Sequence, residues 1–189
     1  MRIGLMLRKT FDSFTVDKIE KILRPELQSI KFGAKREGLK LEENWSDYIS
    51  EEKLKSIEHR DIDVCENKNM YRFSKHLSNK ILHILKQLYP ENIIYSAGHF
   101  YYPPTGYMGW HTNYSSEGER LYLTFASESN KSFFRYRDVE SKEVVTDYDD
   151  AGLTVRSFPA LLTRPYFWHC VGSECDRFSF GYRLKPIES

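Results

Sequence analysis

The alternation of apolar and polar positions changes its period once along the chain. Before residue 90 it is helical. In "TVDKIEKILRPEL", Val16, Ile19, Ile22 and Leu23 recur at helical spacing, and Thr15 reads as the N-cap before Asp17. "SEEKLKSIEHR" is a shorter helical candidate. The clearest helix is "YRFSKHLSNKILHILKQLYP", where Phe73, Leu77, Ile81, Ile84, Leu85 and Leu88 form one apolar stripe that Pro90 stops. His76 and His83 fall off that stripe and are expected to face solvent. A stripe of this kind needs an apolar surface to cover it, most simply a sheet. Residues 25–50 show no period and read as loop with short strand pieces.

From residue 92 the period becomes two. Strands are expected at 93–102, 119–127, 131–138, 142–147, 152–158, 160–164, 167–172 and 176–184. Short strands separated by turns at regular spacing fit a sandwich or barrel. The expected fold class is α+β, mainly β, with residues 1–189 as a single domain. Residues 1–90 are the helix-rich supporting layer, and 91–185 are a double-stranded β-helix, or jelly roll, with the helices packed on one sheet.

Composition changes this picture little. The 13 Tyr, 12 Phe and 3 Trp concentrate after residue 94, where strands are expected. A formal net charge of +1 gives no general pull toward duplex nucleic acid or an anionic membrane. No apolar run reaches the ~18 residues that a membrane span needs. The start, "MRIGLMLRKTFDSF", has no signal-peptide pattern, so the expected location is cytoplasmic. Cys65, Cys170 and Cys175 lack a framework spacing and read as reduced thiols.

Candidate chemistry begins at "GWHTNYSSEGERLYLTF". His111 and Asn113 are two apart, so in a strand they would share one face. His169, in "RPYFWHCVGSECDRFSFGYRL", lies far downstream, and strands so separated can be neighbours in a jelly roll. Two imidazoles and one oxygen ligand make a facial metal site that leaves three positions open, the arrangement suited to Fe(II) oxygenase chemistry. In "RFSFGYR", Arg177, Ser179 and Arg183 alternate with Phe178, Phe180 and Tyr182, so one face is polar and the other aromatic. A buried arginine needs an anion, and Arg177 with Ser179 could hold a dicarboxylate. The plainer alternative pairs Arg177 with Asp176 or Glu174 at the surface. "YDD" at Tyr148–Asp150 reads as a turn away from both histidine strands. Arg135 and Arg137 alternate with Phe134 and Tyr136, which gives one sheet face able to accept an acidic group.

The ordered combination "YPPTGYMGWHTN…WHCVGSECDRFSFGYR" resembles the Fe(II)- and 2-oxoglutarate-dependent dioxygenases. The resemblance covers roughly residues 93–185 and is nearest the prolyl-hydroxylase-like branch. It implies Fe(II), 2-oxoglutarate and O2 as cofactors. It implies His111, Asn113 and His169 at the metal, and Arg177, Ser179 and Tyr102 at the cosubstrate. Arg183 matches a second arginine of some members and is a substrate or second cosubstrate contact. Tyr107 and Trp110 would wall the site near the metal. The implied substrate is a small molecule or peptide, hydroxylated at an amino-acid-like group. Asn113 stands where the family has a carboxylate. Three accounts stay open: Asn113 ligates through its carbonyl oxygen, or it lies outside the metal's ligands as in two-histidine or halogenase variants, or the chain keeps the fold without chemistry. A cupin-like enzyme using another divalent metal is a further alternative.

Overall fold

The computed structural model describes residues 6–29, 44–62, 67, 68, 70–72, 75–116 and 118–187. Two antiparallel sheets face each other. One has six strands in the order β1-β9-β6-β11-β4-β3, the other five in the order β2-β5-β10-β7-β8. β1 (Leu7–Lys9), β2 (Asn67–Lys68) and β3 (Tyr71–Arg72) are short additions. The remaining eight make the double-stranded β-helix: β4 (Asn92–Tyr102), β5 (Tyr107–His111), β6 (Gly118–Ala126), β7 (Ser132–Arg137), β8 (Val144–Tyr148), β9 (Gly152–Ala160), β10 (His169–Ser173) and β11 (Arg177–Pro186). The fold is the expected mainly β jelly roll. Two strand expectations need correction. Residues 160–164 form bends after Ala160, and Tyr107–His111 is a strand where none was expected.

Helix α1 (Ser13–Ser29) opens with Asp12, which accepts hydrogen bonds from the backbone N and the hydroxyl of Thr15. Asp12 therefore does the capping expected of Thr15, because a carboxylate can accept both donors. A 3-10 turn (Trp45–Ile49) leads into α2 (Glu51–Ile57), capped by Ser50, which accepts from Lys53 N. α3 (Lys75–Leu88) buries Leu77, Ile81, Ile84 and Leu85, while His76 and His83 are exposed as expected. Leu88 is also exposed. Phe73, Cys65 and residues 30–43 lie outside the described residues. The rest of the expected 25–50 loop is the end of α1 and the 3-10 turn.

Side chains sort into layers by strand alternation. Phe178, Phe180, Tyr182 and Leu184 of β11 share one apolar cluster with Ile19 and Leu23 of α1 and Leu77 and Ile81 of α3. The aromatic face of β11 therefore packs on the helices, and its other face looks between the sheets. A second cluster, with Ile49, Leu54, Tyr107, Trp110 and Trp168, covers the outer side of the five-stranded sheet. Burying a Leu, Ile or Phe contributes about 1.5–3 kcal/mol each. These outer layers therefore hold the two sheets as a rigid frame for the polar groups inside. Cys170 and Cys175 are buried and form no disulfide. Among the described residues, no helix is long and apolar enough to cross a membrane.

Candidate functional site

His111 lies directly opposite His169 across β5 and β10. From His111 back to Met108, β5 uses one residue more than β10 does from His169 to Val171. This is a β-bulge, and it reverses which face successive side chains take. Met108 before it and His111 after it both line the interior cavity. Tyr107 and Trp110 turn outward. Tyr107 stacks on Tyr48 at 5.2 Å, and Trp110 Nε1 donates to Ser50 O at 2.8 Å. The expectation that Tyr107 and Trp110 wall the metal site is thereby corrected: both pack under α2, because the bulge breaks simple alternation.

The two imidazole rings are 4.1 Å apart between centroids. His111 Nδ1 donates to Gly109 O at 2.9 Å, and His169 Nδ1 donates to Phe167 O at 3.1 Å. A carbonyl only accepts, so each hydrogen sits on Nδ1 and each Nε2 keeps its lone pair. His169 is fully buried, with Phe134 stacked on it at 5.3 Å and Phe158 at 4.9 Å. Burial, then the neighbouring His111 and the Arg120 charge, hold its pKa well below 6.5, against the Phe167 hydrogen bond. It is neutral at pH 7, the form that binds a metal.

Asn113 lies beyond the end of β5, with φ of 57°. That left-handed conformation is one asparagine tolerates. It does not share a strand face with His111, as expected from spacing, but a turn still carries it to the site. Its Nδ2 donates to His169 Nε2 at 3.1 Å and to Tyr122 Oη at 3.4 Å. Rotating the amide by half a turn would put Oδ1 where Nδ2 now lies. Arg120 Nη2 donates to Ser116 O at 2.5 Å and to Asn113 O at 3.4 Å, which ties the turn down. Among the described residues no group of three His, Cys, Asp or Glu is placed to hold a metal, so the third neighbour of the imidazole pair is this amide.

Arg177 is fully buried on the inward face of β11, but it already has an anion. Its Nε donates to Asp149 Oδ2 at 2.9 Å and its Nη2 to Thr124 Oγ1 at 3.1 Å. The guanidinium lies over the Tyr102 ring at 5.3 Å, and Nη1 has no hydrogen-bond partner. Asp149 also pairs with Arg156 and accepts from Ser132. Burial alone would raise the Asp149 pKa, but Arg177 and Arg156 bring it down to about 2. The surface partners weighed for Arg177 are engaged elsewhere: Glu174 pairs with Lys131, and Asp176 accepts from Tyr101. "YDD" is not the expected turn: Tyr148 ends β8, and Asp149 and Asp150 link it to β9 in the other sheet, which sinks the Asp149 carboxylate into the barrel. Arg137 pairs with Glu58, so that sheet face already holds its acidic group.

A cavity of about 460 Å3 opens beside His111 and Asn113. Tyr102, Ser179 and Arg183 line it, and Arg177 does not. The sequence-derived set is thus divided. His111, Asn113 and His169 come together, Tyr102, Ser179 and Arg183 share their cavity, Arg177 lies behind with Asp149, and Tyr107 and Trp110 are outside. Arg120 and Tyr122, which also line the cavity, were missed. Their signal is the alternation in "ERLYLTF", where Leu121 and Leu123 face the helices and Arg120 and Tyr122 face inward.

No known family profile matches the sequence, and no curated protein matches it. Among solved structures, a prolyl-4-hydroxylase from Pseudomonas putida superposes with a TM-score of 0.50 at 8% identity, over 99% of this chain and 94% of its own. A Trichoplax adhaerens prolyl hydroxylase, solved with a hypoxia inducible factor oxygen degradation domain peptide fragment, gives a TM-score of 0.48 at 10% identity over 97% and 83%. The class that the architecture defines is therefore a double-stranded β-helix like that of the P. putida prolyl-4-hydroxylase. At this identity the likeness is one of fold.

Proposed function

We propose that the protein is an Fe(II)- and 2-oxoglutarate-dependent dioxygenase that hydroxylates a peptidyl or free amino-acid-like substrate. One observation carries the reading: two facing imidazoles each spend Nδ1–H on a carbonyl of their own strand or the segment just before it and keep Nε2 for a metal. These donors fit a divalent ion, with the Asn113 amide oxygen within reach of the same place after rotation. Iron bound there with 2-oxoglutarate would supply activation of O2 and oxidation of a C–H bond. The chain's own contribution is positional. The β-bulge aims His111 inward, Arg120 holds the Asn113 turn, and Phe134 and Phe158 keep water from His169.

The distal carboxylate of 2-oxoglutarate does not fit Arg177 as it stands, because Asp149 already neutralises that guanidinium. No step is assigned to Arg177. The same observation favours a second reading, a non-catalytic jelly-roll binding protein, in which an internal carboxylate and the Asn113 amide have replaced cosubstrate and metal ligand. Anaerobic addition of Fe(II) and 2-oxoglutarate separates the two. The dioxygenase shows a weak visible metal-to-ligand charge-transfer band that the His111→Ala variant loses. A wild-type protein that binds neither Fe(II) nor 2-oxoglutarate sinks the dioxygenase reading. Metal binding without a response to 2-oxoglutarate points to a cupin-like enzyme instead.

A further inference from the structure

We propose that the open edge of β4 is a docking site for an extended acidic peptide, which adds as a further strand and leads a side chain into the cavity beside His111. β11 pairs with β4 along its whole length, from Asn92 to Tyr102. On the other side, among the described residues, β3 pairs with it only at Phe100 and Tyr101. Residues 93–98 therefore turn alternate backbone N–H and C=O groups outward, a template for another strand. Successive side chains of a strand point to opposite faces. Yet Tyr95, Ser96, Ala97 and Gly98 all line the cavity. A space that touches four residues in a row runs along the strand's edge and not over one face. Edge and cavity are thus one groove.

Charge selects the occupant. Arg72 of β3 and Arg183 of β11 flank β4 on its two sides, and both line the groove. Arg183 lies over the Tyr95 ring at 4.6 Å and Arg72 over Phe100 at 5.6 Å. Stacking holds each guanidinium plane and leaves its N–H edge for a carboxylate. No Asp or Glu is among the described lining residues, so acidic side chains are attracted and basic ones repelled. Ile93 and Tyr95, 44% and 42% exposed, add apolar surface beside the arginines. Gly98 and Gly181 lie opposite each other and both line the groove, so an incoming side chain crosses bare backbone on its way inward. The edge is poorly suited to a second copy of this chain. Ser96 is opposite Tyr182 and Gly98 opposite Gly181, which leaves Ala97 as the extra residue of a bulge. A bulge twists the strand and interrupts a long ladder, which blunts pairing between copies and leaves room for a short segment. That the docked peptide is the substrate rests on the dioxygenase reading, whereas the docking itself does not.

Fluorescence anisotropy with pools of short labelled peptides tests it on the metal-free full chain at low salt. In one pool Glu alternates with Val, Thr or Tyr, so that all its carboxylates share one face. In two others Gln or Lys replaces Glu. The Glu pool binds the wild type, the Gln pool at least about tenfold more weakly, and the Lys pool not at all. Arg183→Gln weakens the Glu pool by a similar factor and the Gln pool little, with an unchanged far-UV circular dichroism spectrum. Backbone methylation separates strand addition from charge attraction alone. N-methyl groups on one alternate set of peptide residues abolish binding and those on the other set leave it, because an added strand turns only one edge to β4. No binding of the Glu pool at millimolar concentration overturns the proposal, as does an equal effect of the two methylated sets, or equal binding by Arg183→Gln and wild type. A dimer in sedimentation velocity that the Glu pool does not dissociate assigns the edge to a second copy and overturns it too. The dioxygenase reading fails separately, if His111→Ala binds Mn(II) as well as the wild type does. The peptide edge is then still judged in the metal-free protein.

Discussion

Replacing Asp149 by Asn tests whether the buried Arg156–Asp149–Arg177 group is a structural unit. The substitution keeps the side chain's shape and removes its charge. Both arginines are 1% exposed and Asp149 is 0% exposed, so water cannot replace the lost anion. Arg156 keeps Asp147 as a second partner, whereas among the described residues Arg177 keeps Thr124 and the Tyr102 ring. Breaking a buried pair by removing one partner costs about 3–5 kcal/mol. With a urea slope of about 2 kcal/mol per molar, the midpoint should fall by about 1.5–2.5 M. The acid limb provides an independent check. The Asp149 pKa is lowered from 3.8 to about 2 in the folded state. That contribution is fully present above about pH 4 and is lost as pH falls toward 2, a loss of about 2 kcal/mol. The wild type should therefore lose this stability between pH 4 and 2, and Asp149→Asn should lack that part of the loss. Urea unfolding followed by far-UV circular dichroism at pH 7, 4 and 2.5 reads both quantities. A variant within 1 kcal/mol of the wild type at pH 7, with a parallel acid limb, would refute the reasoning.

Asn113→Asp, at the residue whose amide meets His169 Nε2, should raise Fe(II) or Mn(II) affinity by at least about tenfold, since a carboxylate is a stronger ligand for a dication. Unchanged affinity in a metal titration would mean that this side chain does not reach the metal. Gly172→Ala would put a Cβ 2.7 Å from both Ile49 Cδ1 and Phe133 Cζ and 2.8 Å from Trp45 Cζ3. The overpacking should cost about 1–3 kcal/mol, read as a fall of several degrees in Tm, and an unchanged Tm would show that these tips move aside freely.

Much of the site was legible because strand alternation is a local property. In "RFSFGYR" the aromatic half packs on the helices and the polar half faces inward, as the spacing implies. The pairing of His111 with His169 follows from the order of strands in a jelly roll. Two features defeated that logic. A single extra residue in β5 reverses the alternation, so Tyr107 and Trp110 point away from the cavity, which neighbouring residue types do not reveal. The anion of Arg177 comes from Asp149, in the link between β8 and β9, which composition marks only as polar.

By itself, the order of residues determined the helical stripes, the change to period two, and which side chains could act as metal or anion ligands. These depend on backbone geometry within a few residues. Only the tertiary structure decided that Arg156 and Arg177 share the Asp149 carboxylate and that His111 faces His169. Coulombic pairing and burial act between segments far apart in sequence, and the chain can express those distances only once its two sheets have closed.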